Sequence, residues 1–245
     1  MSVTTKAIDK IREKIADGDL GPGDRLPPEL ELAEELGVSR GSLREAVRAL
    51  SQINVLDVRR GDGTYVTSLE PSELLAGLAF AVELLQANGL NEVLEVRRLL
   101  FPPAAGLAAT RVTDDQLDRM RAVVRLLEVA DEADEVASLH REFQGIVGDA
   151  TGNATLSSIL RALQLRGEHV RRTWLNSDPT IRDVAMAHQK LLLDAFERGD
   201  ADMARSIATV QVDERQRWVD QLLHQKAPEP TRPTSDLLNA DDAPN

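Results

Sequence analysis

Three arginines recur at intervals of four residues in the stretch LGVSRGSLREAVRAL, and they are Arg40, Arg44 and Arg48. In a helix, residues four apart share a face, so the apolar side chains of Leu43 and Val47 fall on another face. A guanidinium group on an exposed face can bond a guanine edge or a phosphate through two N–H groups. The same spacing also fits a solvated helix surface with acidic neighbours, and both interpretations remain open at this point.

The total charge of the chain argues against indiscriminate binding to polyanions. The formal net charge is −12 at pH 7 over 245 residues, and the pI is near 4.9. Charges act over a Debye length of roughly 8–10 Å, so a local basic patch can still bind DNA on an acidic protein. The elements around the three arginines therefore decide whether they form such a patch.

The arginines are expected to lie on the second helix of a helix-turn-helix. Leu32 and Leu36 face inward from a preceding helix, Gly37 ends that helix, and Ser39 is a good N-cap for the next one. Such a unit presents the start of its second helix to the major groove, where arginines bond bases and serine hydroxyls hold phosphates. The residues at that start are Ser39, Arg40, Ser42 and Arg44.

Two further elements are predicted around this unit. An earlier helix is expected to be capped by Thr4 or Thr5 and to end at Gly18. After the arginine helix, NVLDVRRGDGTYVTSL contains two β-prone runs joined by a Gly-Asp-Gly turn, which predicts a hairpin with Arg59 and Arg60 at its tip. A hairpin in this place would reach the neighbouring groove or the DNA backbone.

These motifs together resemble the winged helix-turn-helix of GntR-family bacterial transcription regulators. The resemblance covers about residues 5–67 and rests on PGDRLPPELELAEELGVSRGSLREAVRAL followed by VLDVRRGDGTYV. The DNA-contacting positions that it implies are Ser39, Arg40, Ser42, Arg44, Arg60 and Gly61. Leu30 replaces a frequent arginine and Gly41 a frequent threonine or alanine, which implies a different operator preference. Asn54 stands at a turn position usually held by glycine, and asparagine tolerates left-handed backbone.

The rest of the chain is expected to be an all-α helical bundle. After a short linker, apolar residues recur at helical spacing in seven segments. Two of the seven apolar stripes are Leu74/Leu78/Val82/Leu85 and Ile181/Val184/Leu191/Ala195. The sequence thus predicts a mostly α-helical protein with a DNA-binding domain at 1–70, an effector-binding and dimerisation domain at 71–226, and a Pro- and Asp-rich disordered tail at 227–245.

Polar residues interrupt the apolar stripes of the bundle at five positions. They are Arg97, His140, Gln144, His188 and Gln211. A buried cation such as Arg97 needs an anionic or hydrogen-bonded partner, because an unpaired buried charge is very costly. These side chains are therefore expected to converge on one cavity.

The bundle resembles the FCD effector domain of the FadR subfamily. The resemblance rests on LEVRRLL, REFQGIVGDATGN and HQKLLLDAFERGDADMARS, and it covers most of residues 72–224. In that subfamily the bundle encloses a cavity that binds a small carboxylate or an acyl derivative, often beside a metal held by one acid and three histidines. The resemblance therefore implies a small-molecule effector for this chain.

The positions that the resemblance assigns to metal ligands are altered here. They hold His140, Gln144, His188 and Gln211, and glutamine is a weak ligand for zinc. Phe101 stands where the subfamily often has a glutamate. We therefore expect a pocket that requires no cofactor and accepts an organic acid or acyl group, with Arg97 pairing its charged end. A zinc or nickel ion held loosely by the two histidines, and satisfied core residues without a ligand, are the alternatives.

Other classes of function lack their sequence signals. The chain has no cysteine and no apolar run near the roughly 20 residues of a membrane span, and its first residues carry charges, so a cytoplasmic location without membrane contact is expected. It also contains no HExxH, GxSxG or P-loop motif, so an enzyme is not expected.

The expected function is a ligand-responsive DNA-binding transcription regulator that acts as a repressor. A homodimer would bind a palindromic operator in double-stranded DNA, and an organic acid or acyl-type effector would release it. Two alternatives remain: a metal-dependent enzyme built on the helical bundle, and a ligand-free dimerisation scaffold behind the DNA-binding domain.

Overall fold

The computed structural model describes residues 3–84, 87–164 and 179–226, which form eleven helices and one two-stranded hairpin. The N-terminal elements are α1 Val3–Ala16, α2 Glu29–Leu36, α3 Arg40–Gln52, β1 Leu56–Arg59 and β2 Gly63–Val66. The remaining helices are α4 Pro71–Leu74, α5 Ala76–Leu84, α6 Ala87–Ala109, α7 Asp114–Val129, α8 Ala133–Ala150, α9 Ala154–Ala162, α10 Pro179–Glu197 and α11 Ala201–Lys226. The predicted mostly helical fold with a hairpin wing is confirmed.

The helix-turn-helix forms where the capping residues predict it. Gly37 ends α2 with φ 61°, and its N–H bonds the carbonyls of the last helical turn. Ser39 caps α3 by accepting a 3.1 Å hydrogen bond from the N–H of Ser42. Leu32 and Leu43 pack together with α1 in the N-terminal core, so the turn is fixed from both sides.

The start of α1 differs from the prediction. The helix already includes Val3, so Thr4 and Thr5 lie within its first turn and not at the N-cap position. Val3 is 55% exposed, and water can satisfy the N–H groups of such an exposed first turn without a side-chain cap.

The wing is an antiparallel pair in which Leu56 faces Val66 and Arg59 faces Gly63. Its turn contains Gly61 at φ 79°. At the end of α3, Asn54 has φ 58°, so the predicted left-handed asparagine is confirmed.

The second core lies among α6, α7, α8, α10 and α11. α6 packs along α11, and Phe143 stacks on Phe196 with ring centroids 6.4 Å apart. Pro102 and Pro103 lie inside α6. The expected division of the chain falls at the start of α4, and the expected tail at 227–245 lies outside the described residues.

Two predicted apolar stripes are wrong in part. Val184 and Leu191 are 42% and 43% exposed, whereas Gln189 on the same helix is 1% exposed. The buried face of α10 contains a polar residue, so apolar periodicity alone assigned the wrong face of this helix to the core. Leu74 and Leu78 are likewise 40% and 37% exposed. Leu85 and the side chain of Ile181 lie outside what the structure describes.

No helix in the described segments is long and apolar enough to cross a membrane.

Candidate nucleic-acid interface and ligand cavity

The start of α3 presents polar hydrogen-bonding groups to solvent. Ser39 and Arg40 are exposed, and the Oγ atoms of Ser39 and Ser42 lie 2.9 Å apart. The first N–H groups of a helix have no acceptor within the helix and carry the positive end of its dipole. This end of α3 is therefore suited to hold an anion such as a phosphate.

The arginine face of α3, which consists of Arg40, Arg44 and Arg48, is exposed but partly paired with acids. The Nε of Arg44 lies 2.8 and 2.9 Å from the two carboxylate oxygens of Glu29, and this hydrogen bond raises the pKa of Arg44. Arg48 bonds Glu45 at 2.8 Å. Because these pairs are exposed, they contribute little to stability, and a phosphate or a base can replace the carboxylate.

The wing places its arginines differently. Arg59 bonds Asp57 at 2.9 Å and lies over the ring of Tyr65 at 4.2 Å from its centroid. The hydrogen bond to Asp57 raises the pKa of Arg59. Arg60 and Gly61 are exposed in the turn itself. The tip therefore offers Arg60 to solvent, while Arg59 is held along the strand.

Arg25 belongs to this surface, and the sequence analysis missed it. Its guanidinium donates to the backbone carbonyl of Asp62 in the wing turn. A groove of about 410 Å³ between the helix-turn-helix and the wing is lined by Arg25 together with Glu29, Arg44, Arg48 and Gly63. The sequence feature that could have indicated Arg25 is its position in PGDRLPP. This segment lies far from the hairpin in sequence but pairs with it in the fold.

The bundle contains a central cavity of about 350 Å³ that is partly open to solvent, and all six residues predicted to bind an effector line it. They are Arg97, Phe101, His140, Gln144, His188 and Gln211. Further lining residues that the sequence analysis missed are Leu94, Val184, Ala185, Gln189, Val212, Glu214, Arg215, Arg217, Trp218 and Gln221.

Arg97 is the largest buried polar side chain of the cavity, and it is 2% exposed. It donates to Gln144 Oε1 at 3.0 Å and to the carbonyl of Leu160 at 3.4 Å, and its guanidinium lies 5.3 Å from the ring centroid of Phe101. All these neighbours are neutral. Burial, and to a lesser extent the positive charge of Arg215, lowers the pKa of Arg97 to about 9. Arg97 therefore carries its charge at neutral pH.

The two histidines of the cavity have different polar neighbours. His140 Nδ1 lies 2.7 Å from Gln189 Nε2, within hydrogen-bonding distance. His188 Nδ1 lies 3.4 Å from a carboxylate oxygen of Glu214. The Oε1 atoms of Gln189 and Gln211 are buried and accept no hydrogen bond from the part of the chain that the structure describes.

The described residues of the cavity do not bring together the ligand set of a metal site. Within the described segments, no group of three or more histidine, cysteine, aspartate or glutamate side chains is placed to hold a metal ion. Gln144, at one of the implied ligand positions, instead accepts a hydrogen bond from Arg97. A guanidinium beside that position would repel a divalent cation. Among the described lining residues, the imidazoles are those of His140 and His188.

Three of the missed polar lining residues share one cause. Gln189, Glu214 and Arg215 are polar residues at helix positions that also face solvent in most amphipathic helices. Arg215 follows Gln211 by four residues, so it lies on the same face of α11, and this spacing was the available signal.

Comparisons with known proteins match both halves of the chain. Residues 4–66 match the family described as bacterial regulatory proteins, gntR family, and residues 92–213 match the FCD domain. An HTH-type transcriptional regulator of Mycobacterium tuberculosis is 30% identical over 205 residues, which is 82% of this chain and 82% of that protein. The HTH-type transcriptional regulator LutR of Bacillus subtilis is 30% identical over 199 residues, which is 78% of this chain and 90% of LutR. Among solved structures, the Streptococcus agalactiae GntR aligns with a TM-score of 0.66 at 27% identity, covering 87% of this chain and 99% of that one.

Proposed function

Because the chain belongs to the gntR family of bacterial regulatory proteins and carries an FCD domain, we propose that it is a ligand-responsive repressor that binds a palindromic operator as a homodimer. Its family membership makes it a DNA-binding transcription regulator and not an enzyme. The observation that carries the proposal is the Ser39-capped start of α3, which offers Arg40 and Arg44 to solvent beside the tip of the wing.

The small size of the DNA-binding surface around one recognition helix favours a homodimer. One recognition helix contacts only about half of a DNA site, so a twofold pair of such helices on a palindrome multiplies affinity and fixes the spacing. The domain at 71–226 would supply the dimer contacts and hold the domain at 1–70 in place. A regulator of this kind acts where the chromosome is, in the cytoplasm.

The central cavity supports an effector that is a small organic acid or an acyl derivative. Arg97 is a buried cation whose described hydrogen-bond partners are neutral, so an anionic ligand group would stabilise it. Phe101 and Leu94 offer apolar contacts for the rest of the ligand. We propose that the site works without a metal and that bound effector favours a spacing of the two DNA-binding domains that no longer fits the operator.

Fluorescence anisotropy with a duplex from the protein's own promoter, and with a scrambled duplex, tests the DNA-binding function. Arg40→Ala should weaken binding to the promoter duplex by about 5- to 150-fold, which corresponds to 1–3 kcal/mol for a base contact. Binding to the scrambled duplex should change far less. Arg198→Ala removes an exposed arginine of α10's C-terminal end and should leave both affinities unchanged. Equal losses on the two duplexes would contradict base recognition by Arg40.

A further inference from the structure

The linker between the wing and the helical bundle, residues 67–74, is an ordered segment. Thr67 Oγ1 donates a hydrogen bond of 2.7 Å to the carbonyl of Asn54. Ser68 Oγ donates to a carboxylate oxygen of Glu73 at 3.0 Å. The linker therefore has defined contacts with the DNA-binding domain and within itself, so it can hold that domain in a preferred orientation to the bundle.

Leu69 fixes the start of the linker. Its φ is 56°, a left-handed backbone conformation that a leucine rarely adopts. Its side chain packs against the core that α1, α2 and α3 form. Such a backbone conformation persists only where the surrounding contacts determine it. The start of the linker is thus anchored to the DNA-binding domain.

The end of the linker lies against the helical bundle. α4 packs on α9, and α9 packs on α8. Ser72 and Leu75 line a cleft of about 420 Å³ together with Ser158 and Ala162 of α9. Because α4 is seated on the bundle, the orientation of α4 relative to the helix-turn-helix also sets the orientation of the two domains.

Asn54 connects the end of the recognition helix α3 to α4. It follows α3 with φ 58°, and its Nδ2 donates to the backbone carbonyl of Glu73 at 2.9 Å. The last carbonyls of a helix take their partners from outside its own hydrogen-bond ladder, so this one is a suitable acceptor. Glycine adopts a left-handed backbone without steric cost, so the turn alone does not require asparagine. The side chain of Asn54 adds an interdomain contact that glycine could not make.

We propose that the hydrogen bond between Asn54 and Glu73 positions the recognition helix relative to the bundle, and that it thereby determines which spacing of operator half-sites the protein prefers. This rests on the proposed function, binding of a palindromic operator as a homodimer. Two recognition helices reach both half-sites only when each is held at the matching orientation, and a correctly held second helix binds at a high effective concentration. The hydrogen bond is exposed, so it biases the orientation of the domains and does not lock it.

Hydrogen exchange of the full-length, DNA-free protein tests the contact itself. Asn54→Gly retains the left-handed backbone and loses the donor, so the amides of residues 70–78 should exchange about 2- to 10-fold faster than in the wild type. Asn54→Asp keeps the shape of the side chain but offers a carbonyl no donor, so it should give the same change. Faster exchange in neither variant overturns the proposal.

Glu73→Gln is the matched control for both variants. The contact uses the backbone carbonyl of Glu73, and a glutamine side chain still accepts from Ser68 Oγ. Glu73→Gln should therefore exchange as the wild type does, although it changes the charge of the linker. Exchange as fast as in Asn54→Gly would mean that the side chain of Glu73 holds the linker, which contradicts the proposal.

Fluorescence anisotropy with three duplexes tests the consequence for DNA binding. The duplexes are the palindrome footprinted in the protein's own promoter, the same palindrome with 5 bp inserted between its half-sites, and one half-site alone. Asn54→Gly should bind the half-site as the wild type does and the natural palindrome about 2- to 10-fold more weakly. The loss of affinity caused by the 5 bp insertion should be smaller in Asn54→Gly than in the wild type, and Glu73→Gln should match the wild type on all three duplexes.

The half-site distinguishes the possible failures. If the wild type prefers the natural palindrome and Asn54→Gly shows the same preference, the positioning role of Asn54 is wrong and the homodimer stands. Equal loss by Asn54→Gly on the half-site and the palindrome also overturns the proposal, because the substitution then acts within one DNA-binding domain. A wild type that binds the half-site as tightly as the palindrome contradicts the homodimer and, with it, the role of Asn54 in spacing.

Discussion

In the DNA-free protein the guanidinium of Arg44 donates a hydrogen bond to the carboxylate of Glu29, whose two oxygens both lie within 2.9 Å of Arg44 Nε. DNA must compete with this carboxylate for the arginine. The side chains are 64% and 40% exposed, so water and salt weaken the pair and DNA can displace the carboxylate. Glu29 thus competes weakly with DNA for the arginine face.

Glu29→Gln should therefore tighten binding to DNA by about two- to fivefold, because the neutral amide holds Arg44 less strongly than the carboxylate does. Anisotropy titrations at two salt concentrations measure this gain. Glu34→Gln removes the same charge from an exposed position on α2 that forms no salt bridge with a described residue, so it controls for net charge. An equal gain in both variants would mean that only the total charge matters.

At the scale of single elements, the start of α3 combines two roles in Ser39. Its Oγ accepts from the N–H of Ser42, which stabilises the helix, and its exposed position at the helix end suits a phosphate contact. The two roles can be separated because aspartate caps a helix as well as serine does but carries a negative charge.

Ser39→Asp is expected to keep the Tm within about 1–2 °C of the wild type and to weaken binding to every DNA sequence by tenfold or more. Ser39→Ala should instead lower stability by about 1 kcal/mol, because the cap is lost. Thermal unfolding and anisotropy on the same samples distinguish the two variants. If Ser39→Asp binds DNA normally, the start of α3 does not approach phosphate.

The wing depends on Gly63, which has φ 148° and leaves room for Arg25. A Cβ at this position would lie 2.6 Å from Arg25 Nε, so Gly63→Ala must displace Arg25 or the strand. We expect Gly63→Ala to weaken DNA binding several-fold. Gly77→Ala, where a Cβ meets nothing within 4 Å, should leave DNA binding unchanged. Equal affinity of both variants would show that Arg25 and the wing make no contribution.

The local elements were predictable where one residue determines the backbone. Gly37, Ser39 and Asn54 each have a conformational or capping preference that holds in any fold, and all three are found in the predicted roles. The buried face of α10 was not predictable in this way. Gln189 is buried because the cavity and His140 give its amide a polar neighbour, and such a partner is 49 residues away in sequence.

The candidate sites show the same difference between signals within one element, which were predicted, and contacts between elements, which were not. Five of the six predicted cavity residues are polar residues that interrupt an apolar stripe, which is a signal within one helix, and the sixth, Phe101, came from the family resemblance. Arg215 and Arg25 were missed because their importance arises from contacts between elements: one beside Arg97 across two helices, the other against the wing turn. Contacts of this kind require the tertiary structure.

At the scale of the whole molecule, the proposed homodimer makes a geometric prediction. Two recognition helices on one face of DNA need half-sites about one helical turn, or 10–10.5 bp, apart. Inserting 5 bp between the half-sites should lower affinity at least tenfold, and inserting 10 bp should restore part of it. Gel shifts with these duplexes, together with sedimentation of the free protein, provide the measurement. Affinity that is insensitive to spacing would indicate that each chain binds DNA on its own.

Pro102 and Pro103 lie in α6 one turn after Arg97. Proline has no N–H, so the carbonyls of Arg98 and Leu99 lose the donors that an unbroken helix would give them. Because two backbone hydrogen bonds are missing from this part of α6, bending it here costs less than bending an unbroken helix. The place where α6 bends most easily therefore lies between the turn that bears Arg97 and the buried alanines Ala104, Ala105 and Ala108.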